Sequence, residues 1–223
     1  MGTVQTAPDV PAESTVAKPA HRLRADATRN RERIITAARE VFAEAGSDAP
    51  LDDIAKRAGV GNATLYRNFP DRVSLIRQVA VSVMERILAQ AERSAVDGTE
   101  PFEALSRFVH VAAEERIGAL CSLLSERFDP LDEQLMAPRI RLEAALEELM
   151  GRARRAGRLR ADVGPGDLMV ALSQLTRPVP GSFCLDVAPF IHRHLHLFLD
   201  GLRTPTPSAL PGRPATLEDL RRS

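Results

Sequence analysis

The 223-residue sequence has no tryptophan, one tyrosine and two cysteines, and its 30 basic side chains are matched by 30 acidic ones. The cysteines, Cys121 and Cys184, stand far apart and outside any CxxC or Cys/His ligand spacing. They make neither a disulfide framework nor a zinc site, and a chain of this length buries enough surface to fold without such staples. Isolated cysteines of this kind behave as small core residues and fit a reducing cytoplasm, where the protein is expected. No apolar run reaches the roughly 18 residues of a membrane span, so no membrane partner is expected. Residues 1–20 show no apolar block behind a basic one, so no secretory signal is expected there. The sequence also lacks a glycine-rich phosphate loop and a Ser/His/Asp arrangement. Glu114 with Glu115, and Glu147 with Glu148, are helix neighbours that point in different directions, so neither is a facing acid-base pair. The chain is therefore not read as an enzyme, and no catalytic residue, cofactor or metal is expected.

A net charge of zero conceals an uneven distribution. Between Arg22 and Arg39 six arginines face only Asp26 and Glu32, a net +4, whereas Asp97 to Glu148 carries a net −7. A dipolar chain of this kind can hold a nucleic-acid-binding end against an acidic body. Apolar residues recur at helical spacing almost throughout, and no stretch alternates with period two, which predicts an all-α fold. Proline-containing ends, residues 1–24 and 204–223, read as a disordered arm and a disordered tail. Residues 25–88 form one expected domain and 89–203 a second.

In the first domain a helix is predicted from Ala27 to Ala45, closed by Gly46. A short helix follows, with Leu51, Ile54, Ala55 and Ala58 inward, Asp52 and Asp53 in its first turn, and Gly59 ending it. After Val60 and Gly61 a third helix runs from Asn62 to Phe69 and stops at Pro70. Asp71 then caps a long helix from Arg72 to Ala91. Two short helices joined by a glycine-containing turn behind a basic helix form helix-turn-helix geometry. The run from Leu51 to Leu75, with its Ile54-Ala55-x-x-Ala58-Gly59-Val60 and Thr64-Leu65-Tyr66-x-x-Phe69 blocks, closely resembles the TetR (tetracycline-repressor-like) family of transcriptional regulators. The resemblance covers residues 28–88; a second, much weaker one is the Arg-rich connector Ala156 to Asp162. It implies an N-terminal three-helix DNA-binding domain joined by a long helix to a larger helical domain that binds a small molecule and dimerises. Two positions depart from the family pattern: Gly61 stands where a Ser or Thr cap is usual, and Pro50 where a Thr is common.

A short recognition helix presents its N-terminal residues to base edges. Asn62, Ala63 and Arg67 are the expected base readers, since Asn pairs with adenine, Arg with guanine, and a methyl group can touch thymine. Thr64, Tyr66, Asn68 and Arg72 are the expected phosphate contacts, and Leu65 and Phe69 are core. Arg29, with Arg22, Arg24, Arg31 and Arg33, offers charge to an adjacent minor groove.

Further helices are predicted at Pro101 to Ala113, Ile117 to Phe128, Asp132 to Ala156 with a bend at Pro138, Gly166 to Thr176 and Val187 to Leu202, with irregular Arg177 to Asp186 before the last. A small-molecule effector of unknown identity needs a largely apolar pocket between such helices. Candidate lining residues are Phe108, His110, Val111, Cys121, Leu124, Phe128, Met136, Leu142, Met169, Leu172 and Phe183. One helix-turn-helix reads too few base pairs for specificity, so a homodimer on a roughly palindromic operator is expected. Its candidate interface is a four-helix bundle built from Leu168, Leu172, Leu175, Ile191, Leu195, Phe198 and Leu199. His192 and His196 share a helix face, yet no carboxylate or cysteine stands beside them at ligand spacing, and the cluster reads as a polar rim. The reading is a repressor released from its operator by an effector. A helical carrier or enzyme with a vestigial DNA-binding domain is the rival, disfavoured because Thr64, Tyr66, Arg67 and Arg72 are all retained.

Overall fold

A computed structural model describes residues 19–96, 98–129, 132–177, 188–205 and 208–221. Its order is α1 (Pro19–Ala45), α2 (Leu51–Ala58), α3 (Asn62–Asn68), α4 (Arg72–Val96), α5 (Pro101–Glu114), α6 (Ile117–Arg127), α7 (Glu133–Arg155), α8 (Pro165–Leu175) and α9 (Ile191–Leu202), with 3-10 turns at Ala188–Phe190 and Asp219–Arg221. The described residues contain no β-strand; the one bridge pairs Leu159 with Arg203.

Local chemistry sets the ends of these helices. Gly59 closes α2 in the left-handed conformation, φ 63°, which a side chain strains to adopt, and donates to the carbonyls of Ala55 and Lys56. The Asp71 carboxylate accepts from Ser74 N at 2.6 Å, capping α4 as predicted. Glu100 caps α5 through Phe102 N and Glu103 N, and Asp132 caps α7 through Gln134 N. Pro138 sits inside α7 and is buried, and the helix continues past it.

The core is continuous from the first domain into the second. Ile34, Val41 and Phe42 of α1 pack with Ile54 of α2, Leu65 of α3 and Phe69, and α4 carries this packing onward through Leu75, Ile76, Val79, Val83 and Ile87 to Phe102, Leu105 and Val109 of α5. Ion pairs tie α4 to the second domain: Arg77 to Asp132 at 3.1 Å and Arg141 to Glu85 at 2.8 Å.

Three readings of the sequence change. Helix α1 begins at Pro19, so residues 19–24 are helical where a disordered arm was expected; residues 1–18 lie outside the described residues. Helix α4 runs on to Val96. Residues 208–221 are held by hydrogen bonds to the α7–α8 connection, through Ser208 and Leu210, and to the first turn of α8, through Ala215, where a disordered tail was expected. The start of a last helix at Val187 and the irregular segment before it fall largely outside the described residues.

Candidate DNA-binding face and effector cavity

Helix α3 turns one face inward and one out. Leu65 and Phe69 are each 1% exposed, while Tyr66 is 49% exposed. Asn62, Ala63 and Arg67 are exposed beside it, and Thr64 and Asn68 half-buried. Six of the expected DNA contacts therefore share one short helix whose apolar side is fixed against α1 and α2. Arg67 lies back along the helix, donating from Nε to the Ala63 carbonyl at 3.1 Å and from Nη2 to Thr64 Oγ1 at 3.1 Å. Asn62 Nδ2 donates to Asp52 Oδ1 at 2.8 Å. That bond uses one of the two amide hydrogens and leaves the other, with Oδ1, unspent by Asp52.

Two of the expected contacts are placed elsewhere. The Arg72 guanidinium donates to the carbonyls of Ser47 at 2.8 Å and Ala49 at 2.6 Å, pinning the α1–α2 turn to the start of α4. Arg29 is exposed but paired with Asp26 one turn earlier, which offsets much of the charge offered to a groove. Arg31, read from sequence as part of the basic arm, lies 4.5 Å over the Phe69 ring and donates to the Asn68 carbonyl and to Gln78. Arg33 donates to the Gly59 carbonyl at 3.2 Å. These arginines brace the helix-turn-helix; they were legible as charge but not as struts.

The second domain holds a cavity of about 130 Å³ between α4, α5, α6, α7 and α8. Of the candidate lining residues, Phe108, Cys121, Leu124, Leu142 and Met169 border this cavity, joined by Met84, Ile117, Leu120 and Leu146. Arg139 and Glu143, one turn apart on α7, give the wall its charged groups. Burial pushes the Cys121 thiol up, against a smaller opposing pull from Arg139, so the thiol stays protonated and acts as an apolar wall. Other expected lining residues stand elsewhere. Leu172 is 1% exposed in the packed core, Phe128 lies under the Arg77 guanidinium, and Val111 and Met136 are half-buried outside the cavity. His110 faces α9 instead, its Nδ1 2.8 Å from Nδ1 of His192 and its ring centroid 4.5 Å from that of His196. Phe183 lies outside the described residues. Among the described residues no group of three or more His, Cys, Asp or Glu is arranged to hold a metal.

Helix α6 joins this cavity to the DNA-binding domain. Leu120 lines the cavity, and with Ala119 and Leu123 it also borders a narrow crevice against Ala43 of α1 and Val79 and Val83 of α4. At the α5–α6 turn the buried Glu115 carboxylate accepts from Arg39 of α1 and, at 2.8 Å, from Arg86 Nε of α4. The next residue, Arg116, takes the left-handed conformation, φ 61°.

The expected dimer leucines divide unevenly. Leu168, Leu172, Leu195 and Leu199 are each at most 2% exposed within the single chain and close its own core, so they offer no surface to a partner. Leu175, Ile191 and Phe198 are half-buried. The strongly exposed apolar residues near them are Val170 on α8, Leu197 on α9 and Phe190 just before α9.

Residues 34–79 match the family model described as bacterial regulatory proteins, tetR family, and residues 100–204 match one described as the C-terminal domain of SbtR-like transcriptional regulators. A solved TetR transcriptional regulator from Streptomyces coelicolor is 32% identical, with a TM-score of 0.58 over 79% of this chain and 99% of that one. A TetR regulatory protein from Mycobacterium vanbaalenii is 35% identical, with a TM-score of 0.56 over 82% of this chain and 99% of that one. The chain belongs to the TetR family. The transcriptional repressor KstR of Mycobacterium tuberculosis is 35% identical over 115 residues, 47% of this chain and 50% of that protein. The chain spans about half the length of the curated relatives it matches. The TetR model and the helix-turn-helix coincide on α1–α4, and the two family models together stop at residue 204, before the docked C-terminal segment.

Proposed function

We propose that the chain is a sequence-specific DNA-binding transcriptional repressor, working as a homodimer on a roughly palindromic operator and released by a small-molecule effector. The observation that carries this reading is α3, whose Asn62, Ala63, Tyr66 and Arg67 stand exposed on a helix anchored by Leu65 and Phe69. In this reading Asn62, Ala63 and Arg67 meet base edges, and Thr64, Tyr66 and Asn68 meet phosphates. The dimer face is the exposed side of α8 and α9, with Val170, Phe190 and Leu197 at its centre. Cavity size and lining favour a compact, mainly apolar effector, oriented by the Arg139 and Glu143 pair. Pressure on Leu120 would move α6 against α1 and α4, altering the spacing of two recognition helices held about one helical turn of DNA apart.

The test is enrichment of bound duplexes from a random pool by the purified chain. The expected product is an inverted repeat whose half-site centres are separated by about 10 base pairs or a multiple of that. A pool that stays unenriched after repeated rounds contradicts the reading. The carrier reading predicts that second result, together with effector binding.

A further inference from the structure

Residues 208–221, expected to belong to a disordered tail, are a built element. The buried Arg160 guanidinium donates from Nη2 to the Ser208 carbonyl at 2.8 Å and from Nε to Asp162 at 2.6 Å, and Asp162 in turn accepts from Leu210 N. Further along, Gly166 N donates to the Ala215 carbonyl at 2.9 Å. The Asp167 carboxylate accepts from both Gly164 N, at 2.7 Å, and Ala215 N, at 3.1 Å, so one side chain caps α8 and holds the segment. The approach is close. A Cβ on Gly166 would stand 2.5 Å from the Thr216 carbonyl oxygen and 2.7 Å from Ala215 backbone, so only glycine leaves room.

Beyond this docking point the segment folds on itself. Arg213 grips Asp219 through two hydrogen bonds of 2.7 Å, and Asp219 also accepts from Thr216 N at 2.9 Å and from Thr216 Oγ1 at 2.8 Å. This turn presents Leu217, which lines the same cavity as Cys121, Leu124 and Leu142. Neither family model reaches this residue.

We infer that residues 208–221 form a strap that closes one side of the effector cavity, and that Leu217 is the residue that sets the upper size of the molecule the cavity accepts. The inference rests on reading that cavity as the effector site. With Leu217 in place the space is about 130 Å³, near the roughly 150 Å³ that holds one benzene ring. Removing the side chain joins its volume to the cavity, and replacing it with the bulkier phenylalanine narrows the cavity.

The experiment is calorimetric titration of the full chain with benzene, ethylbenzene and n-butylbenzene. It compares the wild type with Leu217→Ala, Leu217→Phe and Leu220→Ala, the last altering an exposed leucine on the same strap that does not line the cavity. The expected result is that Leu217→Ala gains about ten-fold in affinity for n-butylbenzene relative to benzene, each added methylene being buried rather than rejected. Leu217→Phe should lose the longer ligands first, and Leu220→Ala should match the wild type. Equal changes for benzene and n-butylbenzene in Leu217→Ala, or the same shift in Leu220→Ala, would overturn the role of Leu217 while leaving the cavity as a binding site. Absence of binding to every variant would overturn the cavity reading and the strap with it.

Discussion

Glu115 offers the sharpest quantitative test of how the two domains are joined. Its side chain is 10% exposed and lies between Arg39, at 18%, and Arg86, at 54%. Stranding one partner of a fully buried ion pair costs about 3 to 5 kcal/mol, whereas exposed pairs contribute about 0 to 1 kcal/mol. In Glu115→Ala the Arg86 guanidinium can rehydrate but Arg39 cannot, so the cost should fall between those limits, near 2 kcal/mol. For a chain of this size that lowers the melting temperature by about 4 to 8 °C. Double-mutant cycles separate the two arms of the network. Glu115 with Arg39 should show a coupling of about 1 to 2 kcal/mol, and Glu115 with Arg86 less than about 1 kcal/mol. Denaturant unfolding of the single and double alanine variants supplies the numbers. Equal couplings in both cycles, or no coupling to Arg39, would refute the view that burial makes the contact between α1 and the α5–α6 turn the stronger one.

Further outcomes follow from the DNA-binding domain and from the histidines. Arg72→Ala should destabilise the chain by about 2 kcal/mol, since charged hydrogen bonds to two carbonyls are lost. A variant with wild-type stability but weakened DNA binding would return Arg72 to the phosphate role. Tyr66→Phe should weaken binding to all DNA sequences alike, while Arg67→Ala should relax discrimination at one or two operator positions by about 1 to 3 kcal/mol; competition titrations with base-substituted operators distinguish the two. Burial first, then His196 and His192, holds the His110 imidazole below its ordinary value of 6.5, against Glu114 and Glu103, which raise it. A base that takes its proton less readily folded than unfolded contributes stability above the ordinary value, and that contribution is lost as the pH falls below 6.5 and through the folded value. Melting temperatures should therefore decline more steeply below pH 6.5 in the wild type than in His110→Gln; parallel curves would remove His110 from this role.

The helix-turn-helix could be read from sequence because everything that defines it is local. The Gly59 turn, the Asp71 cap and the inward Leu65 and Phe69 lie within a run of about two dozen residues. The bracing contacts of Arg72 were not legible for the opposite reason: the carbonyls it holds belong to Ser47 and Ala49, more than 20 residues earlier, and no pattern in the chain announces that pairing. The cavity was half legible. Apolar helix faces pointed to Phe108, Cys121, Leu124, Leu142 and Met169, but nothing in the sequence singled out the charged Arg139 and Glu143. Leu217 sat in a proline-containing stretch that composition alone assigns to disorder. Helices α8 and α9 carry apolar residues on more than one face, and periodicity cannot decide which face meets the chain's own core. Packing decided it, burying Leu195 and Leu199 and leaving Leu197 outside.

The most direct test of α3 as a reader of specific DNA is fluorescence anisotropy with the duplex upstream of the protein's own gene and a scrambled duplex of equal composition. Titrations at salt concentrations from about 50 to 200 mM measure both discrimination and the number of phosphates engaged. A repressor of this kind should prefer its upstream duplex, lose affinity steeply with salt on both duplexes, and show a weakened preference in Arg67→Ala. Absence of binding to either duplex at the lowest salt would contradict DNA recognition by α3.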